Sequence, residues 1–333
     1  MEKDNAKVLF HLENVKQYFP IKKTKLREEQ KYVRANDGIT LDIYEGETFG
    51  LVGESGCGKS TLGRTMLQLY PQTDGVVEYR TAEGKMVDLK ALSEEEMRSL
   101  RKELQIIFQD PYSSLNPRMT VGQLIGEGLL AHGIYKKNDP AMRDYIIENM
   151  KECGLDAYFF GRYPHQFSGG QRQRIGIARS LVLKPRFVVC DEAVSALDVS
   201  IQSQILNLLS ELKEKAKLTY LFITHDLSVV KYISDRIGVM YLGNMVEVAP
   251  TEELYEHPMH PYTEALLSAI PTTDLNDTRE RILLEGDIPS PVNPPSGCKF
   301  HTRCRYCQEK CKTEVPVYED KGNGHYVACH YPL

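Results

Sequence analysis

Gly53-Glu-Ser-Gly-Cys-Gly58-Lys59-Ser60 closes a short apolar run, residues 47–53, and opens a helix-period run, residues 59–69. The stretch fits G-x-x-x-x-G-K-[ST] without departure. Its glycines let the backbone curl so that several N–H groups turn inward, and the following helix adds its own N-terminal donors, an arrangement suited to phosphate oxygens. Gly53, Ser55, Gly56, Cys57, Gly58, Lys59, Ser60 and Thr61 are therefore candidate phosphate-contacting residues. Lys59 is expected to reach the β- and γ-phosphates and Ser60 to give its hydroxyl to Mg²⁺. The alternative is a glycine-rich strand-to-helix turn that binds nothing, which the strand before and the helix after argue against.

Downstream, Phe187-Val-Val-Cys-Asp191-Glu192 reads as a strand buried on both faces that delivers two acids at its C-terminal end. Ligands of open α/β sheets bind at such strand ends. Asp191 is placed to hold a Mg²⁺ shell and Glu192 to orient or deprotonate an attacking water. Taken alone, such a pair is more often a helix N-cap followed by a first-turn acid; paired with the loop above, the catalytic reading is the stronger. His225 follows the apolar run 220–224 in the same way, and Gln109 follows Ile106-Ile-Phe108. Ser168-Gly169-Gly170-Gln171 opens a helix with a good N-cap and accessible N–H groups, a second anion-binding terminus far from the first. Two chains packed head to tail would let both termini touch one nucleotide.

Strands are expected at 8–15, 39–44, 47–53, 187–191, 220–224 and 237–242, and helices at 59–69, 94–104, 121–131, 141–153, 171–183 and 201–215. Residues 21–31 read as a solvated excursion. The alternation implies an α/β core with a largely parallel sheet. Past Pro250 the texture changes to prolines and cysteines, which places a boundary there: a domain over 1–250, with a helical subdomain over about 110–183, and an extension over 251–333. The formal charge of −5 argues against a general nucleic-acid binder. No apolar run is long enough to span a bilayer, and Met1 to Lys7 lacks the core of a signal peptide, so a cytosolic chain is expected, with its eight cysteines as free thiols or metal ligands.

Together these residues resemble the nucleotide-binding subunit of an ABC transporter, a P-loop NTPase with a RecA-like core and a helical subdomain. Gly53–Ser60 resembles the Walker A motif, Gln109 the Q-loop, Ser168–Gln171 the signature, Phe187–Asp191 with Glu192 the Walker B, Ser195–Asp198 the D-loop and His225 the switch histidine. Phe167 departs mildly, standing where leucine is usual. The resemblance implies ATP with Mg²⁺ held through Ser60, Gln109 and Asp191, catalysis by Glu192 with His225, Gln109 and Lys59, and Phe19, or else Tyr18, stacking on adenine. Residues 109–121, 163–168 and 260–271 look like the oligopeptide/dipeptide permease branch, and the insertion after Pro20 like its F-type subunit. That branch implies a D-type ATPase partner, two transmembrane permease subunits and an extracytoplasmic solute-binding protein, and a place at the cytoplasmic face of the membrane. The rival is a soluble ABC-type ATPase acting on nucleic acid or ribosomes, which usually carries two cassettes or long coiled-coil insertions; this chain shows neither.

Cys298, Cys304, Cys307, Cys311 and Cys329 crowd the C-terminus, with His301, His325 and His330 nearby. Close thiolates bind soft metals, but the spacing matches no standard zinc or ferredoxin pattern. The branch resemblance singles out Cys298, Cys304, Cys311 and Cys329 as candidate ligands of a [4Fe–4S] cluster, with Cys307 as a substitute. Structural zinc and free packed thiols are the alternatives.

Overall fold

The computed structural model describes residues 7–23, 29–271 and 281–333, and the centre of the expected 21–31 excursion lies outside them. The chain forms two compact units, one of Met1–Tyr44, Thr48–Lys90 and Thr224–Leu333, the other of Glu45–Glu47 and Ala91–Ile223.

In the first unit, Val8–Pro20 pairs antiparallel with Tyr32–Tyr44 on one side and with Asp74–Arg80 on the other, and Met86–Asp88 adds the far edge. Both long strands outrun the sequence expectation, the ladder continuing to Pro20↔Tyr32. Their outer halves are polar, and residues such as Gln17 and Asn36 are buried by partners the local pattern does not reveal. The unit's other strands begin with Thr48–Val52 and Arg236–Tyr241, which run parallel. Asn244–Pro250, Tyr326–Val327 and Glu319–Asp320 follow antiparallel. The expected parallel pairing is present, and the antiparallel sheet is an addition to it.

The C-terminal stretch enters this unit's core. Phe300 and Tyr262 are almost fully buried and pack with Tyr241, their ring centroids 4.9 to 5.3 Å apart. Glu247 accepts the backbone N–H groups of Met259 (2.6 Å) and His260 (3.0 Å) and pairs with buried His325 at 2.7 Å. A buried carboxylate is tolerable when its lone pairs are filled in this way.

In the second unit, Leu104–Ile107, Phe187–Asp191 and Thr219–Ile223 form parallel neighbours, the last two buried along their whole length. The helices Val121–Ala131, Pro140–Glu152, Gly169–Leu181 and Val199–Ala216 match the expected helical runs, and the third starts at the expected Ser168 cap. Thr120 and Ser168 form capping boxes with Gln123 and Gln171, and Asp139 caps ahead of a first-turn proline. The helix expected over 94–104 stops at Leu100, because Leu104 is drawn into the sheet beside Phe187. Among the described residues no helix is long and apolar enough to cross a membrane.

Candidate nucleotide site

In the first unit, the loop between Thr48–Val52 and the helix Lys59–Met66 is shaped by glycines that other residues could not replace. Gly53 (φ 146°) and Gly58 (φ 108°) are left-handed, and a Cβ there would lie 2.2 Å from the Met240 carbonyl oxygen and 2.1 Å from that of Ala35. The buried Lys59 side chain donates to the carbonyls of Gly53 (2.7 Å) and Glu54 (3.1 Å), so its ammonium already lies over the loop. Asn36 Nδ2 donates to Gly58 O at 3.1 Å and Gly243 N to Cys57 O at 2.9 Å, which ties the loop to its walls. Burial pushes the Cys57 thiol up, against the pull of the Lys59 ammonium, so it packs as a neutral side chain. Ser55, Gly56, Ser60 and Thr61 belong to the same turn and helix start. Phe19 packs edge-on against Tyr70 at 5.4 Å, whereas the Tyr18 hydroxyl is engaged by Asp37. His225 is exposed at the end of the Thr219–Ile223 strand, just before Asp226 caps the next helix.

In the second unit, Asp191 is 1% exposed at the end of its strand. Glu192 follows with a left-handed backbone (φ 50°), its N–H donating to Ile223 O at 2.9 Å. A non-glycine residue held there is strained and turns its side chain away from the strand direction. Gln109 Nε2 donates to Glu192 Oε2 at 2.6 Å, so two residues 83 positions apart meet as a pair. Ser195 N and Oγ donate to the Glu192 carbonyl at 3.2 and 3.0 Å and fix the turn beyond it. Ser168 accepts from Gln171 N, and a Cβ at Gly170 would fall 2.5 Å from Ile201 Cγ2. Gly170 therefore lets this helix start approach the Val199–Ala216 helix. Gly169 stands in the same first turn, with room to spare by comparison: a Cβ there would meet Leu197 at 3.6 Å.

Four of the C-terminal cysteines, Cys298, Cys304, Cys311 and Cys329, line one small cavity of about 10 Å³ with His301 and His330, and Cys307 does not line it. Burial pushes the Cys298 thiol up to about 12 and Cys304 up to about 11. The donor set has the right chemistry for a thiolate-bound metal. The shape does not: among the described residues no group of three or more His, Cys, Asp or Glu is arranged to hold a metal ion, and the space admits about one water-sized sphere. Motif reading gave no sign of the contacts that Tyr262 and Arg303 make with the loop at Glu54 from more than 200 positions away; no local signal announces them.

The glycine-shaped loop carrying Lys59, between a buried strand and a helix, is the phosphate-binding turn of the P-loop class. The ABC transporter family model matches residues 36–195, and the model of the oligopeptide/dipeptide transporter C-terminal region matches 246–311. The oligopeptide transport ATP-binding protein AppF of Bacillus subtilis is 50% identical over 98% of both chains. OppF of Salmonella typhimurium, also an oligopeptide transport ATP-binding protein, is 49% identical over 98% of this chain and 97% of its own. Among solved structures, cbiO1 of Clostridium perfringens, part of the ABC transporter complex cbiONQ, superposes with a TM-score of 0.62 at 25% identity, covering 75% of this chain and 91% of that one. The ATP-binding cassette MJ0796, a dimer bound to ADP and Pi, gives 0.61 at 28% identity, over 73% and 99%. The chain belongs to the ABC transporter ATP-binding family, in the F-type oligopeptide/dipeptide branch.

Proposed function

We propose that this chain is the ATP-hydrolysing motor subunit of an importer for di- or oligopeptides. The observation that carries the reading is the alignment of 98% of the chain with oligopeptide transport ATP-binding proteins, and the motifs quoted above support it. In this reading residues 1–250 are the working cassette, with 110–183 as its helical part, and 251–333 an extension to it. The loop N–H groups and Lys59 bind the phosphates, and Ser60, Gln109 and Asp191 hold the Mg²⁺ that neutralises their charge. Glu192 orients and deprotonates the water, with Gln109 holding its carboxylate in place and His225 contacting the γ-phosphate. Ser168–Gln171 acts on the nucleotide of a second cassette, and Phe19 packs against the base. Partners are a D-type ATPase subunit, two permease subunits and an extracytoplasmic peptide-binding protein, with this subunit peripheral on the cytoplasmic face. The test is ATP hydrolysis by the complex reconstituted with its permease in liposomes. Stimulation by peptide-loaded binding protein supports the reading; turnover unchanged by any peptide but raised by RNA favours the nucleic-acid alternative.

We propose separately that Cys298, Cys304, Cys311 and Cys329 would be the ligands of a [4Fe–4S] cluster that staples the extension. Four thiols on one cavity carry this reading. Anaerobically purified protein should contain iron with matching acid-labile sulfide; zinc without sulfide makes the site a structural zinc knot, and neither metal makes the cysteines packing residues.

A further inference from the structure

Glu54, the second residue of the phosphate-binding loop, is held at all three of its polar groups. Its carboxylate accepts two bonds from Arg303, Nη1 to Oε2 at 2.7 Å and Nη2 to Oε1 at 3.1 Å. Its N–H donates to Tyr262 Oη at 3.0 Å, and its carbonyl accepts from Lys59 at 3.1 Å. The carbonyl also accepts from Cys57 N at 3.2 Å, so two of the four holders come from the C-terminal stretch. Neither is a loose surface group. The Arg303 side chain is 6% exposed, and Tyr262 is fully buried beside Tyr241 and Phe300. A two-pronged guanidinium–carboxylate pair fixes orientation as well as distance, which a single contact does not. Arg303 also sits on a tight turn, its N–H donating to Phe300 O at 3.0 Å and that of His301 to Cys298 O at 3.0 Å. The cysteines at 298 and 304 flank that turn, so the thiol cavity and the loop clasp share one piece of backbone.

We propose that Arg303 is a positioning residue for nucleotide binding: with Tyr262 it fixes Glu54, and through Glu54 the curl of residues 53–58 that presents the loop N–H groups. The inference rests on the loop binding nucleotide phosphates as proposed above. A phosphate that recruits Lys59 draws its ammonium off the Gly53 and Glu54 carbonyls. The carboxylate and N–H anchors from the C-terminal stretch are untouched by that exchange and keep the loop in shape. Without them, binding must also order the loop, and affinity falls while chemistry on bound nucleotide does not.

The experiment is steady-state ATP hydrolysis by the assembled transporter carrying Arg303→Ala, Arg303→Lys, Glu54→Gln or the Arg303→Ala/Glu54→Gln pair. The expected result is a KM for ATP raised about tenfold in Arg303→Ala with kcat within about twofold. Arg303→Lys should recover part of the loss, and the double variant should be no worse than the larger single, because both remove the same contact. Tyr262→Phe, which removes one hydroxyl and keeps the buried ring, should raise KM about threefold and covers the case in which Arg303→Ala does not assemble. A KM within twofold of wild type in both Arg303→Ala and Tyr262→Phe, a fall confined to kcat, or additive effects in the double variant would overturn the inference. Fluorescent-nucleotide binding to the wild-type complex separates the two levels. A wild type that binds no ATP overturns the nucleotide reading and this inference with it; a wild type that binds while the variants match it overturns this inference alone.

Discussion

Replacing Phe300 by alanine tests whether the C-terminal stretch is part of the loop-bearing unit or an appendage to it. The ring is 2% exposed and lies 5.2 Å from Tyr241, 5.3 Å from Tyr262 and 5.6 Å from His260. It belongs to one cluster with Val52, Ile237, Val239 and Leu254, from the strands and helices that frame the loop. Removing a buried phenylalanine costs about 3–5 kcal/mol, the lost transfer energy plus the cavity left behind. The tightly surrounded site leaves little room to collapse, which places the change toward the upper half of that range. With a urea slope of about 1–3 kcal/mol/M, the midpoint for the first unit should fall by about 1 M or more. Urea titration of the purified chain, followed by tyrosine fluorescence and by nucleotide binding, reads the shift. If the midpoint stays at the wild-type value while protease cleaves after residue 281 more readily, the stretch is an appendage and the packing argument fails.

Three further outcomes follow from the same geometry. Gly170→Ala should lower the stability of the second unit by about 1–3 kcal/mol, because its Cβ would fall 2.5 Å from Ile201 Cγ2; an unchanged thermal midpoint would contradict this. Asp37 is pushed up by burial, but the bonds it accepts from Lys299 and Tyr18 outweigh that and hold its carboxyl below the usual range. A depressed carboxylate adds stability that is present above its unfolded value and lost as pH falls through the folded one. Asp37→Asn should therefore be less stable than wild type at pH 7 and converge with it toward pH 3, and a gap that persists in acid would refute the assignment. Gln109→Ala should lower kcat more than it raises KM for ATP, since Gln109 holds Glu192 at 2.6 Å; equal kcat in variant and wild type would remove it from the machinery.

Local chemistry was readable before any coordinates. The loop 53–60 is a contiguous motif whose glycines, lysine and following helix dictate its shape, and Phe187–Asp191 is apolar enough to be read as a buried strand ending in acids. Ser168, followed by two glycines and Gln171, marks a helix start in the sequence itself. What stayed hidden depends on partners distant in sequence. The strands Val8–Pro20 and Tyr32–Tyr44 extend through polar residues because each supplies the other's hydrogen bonds, and the half-charged pattern of Asp74–Arg80 acquires meaning only beside Val8–Pro20. The Arg303–Glu54 clasp joins residues 249 positions apart, and four of the five C-terminal cysteines face one cavity because of turns that spacing alone does not specify.

The central claim, that this chain hydrolyses ATP as the motor of a transporter, is tested most directly by Glu192→Gln in the reconstituted complex. Glu192 follows the strand-end Asp191, carries a left-handed backbone and is bonded by Gln109, the setting expected of a group that must present one carboxylate oxygen to water. The account predicts that ATP still binds with near wild-type affinity while steady-state hydrolysis falls by at least about a hundredfold. Undiminished hydrolysis in that variant would contradict it.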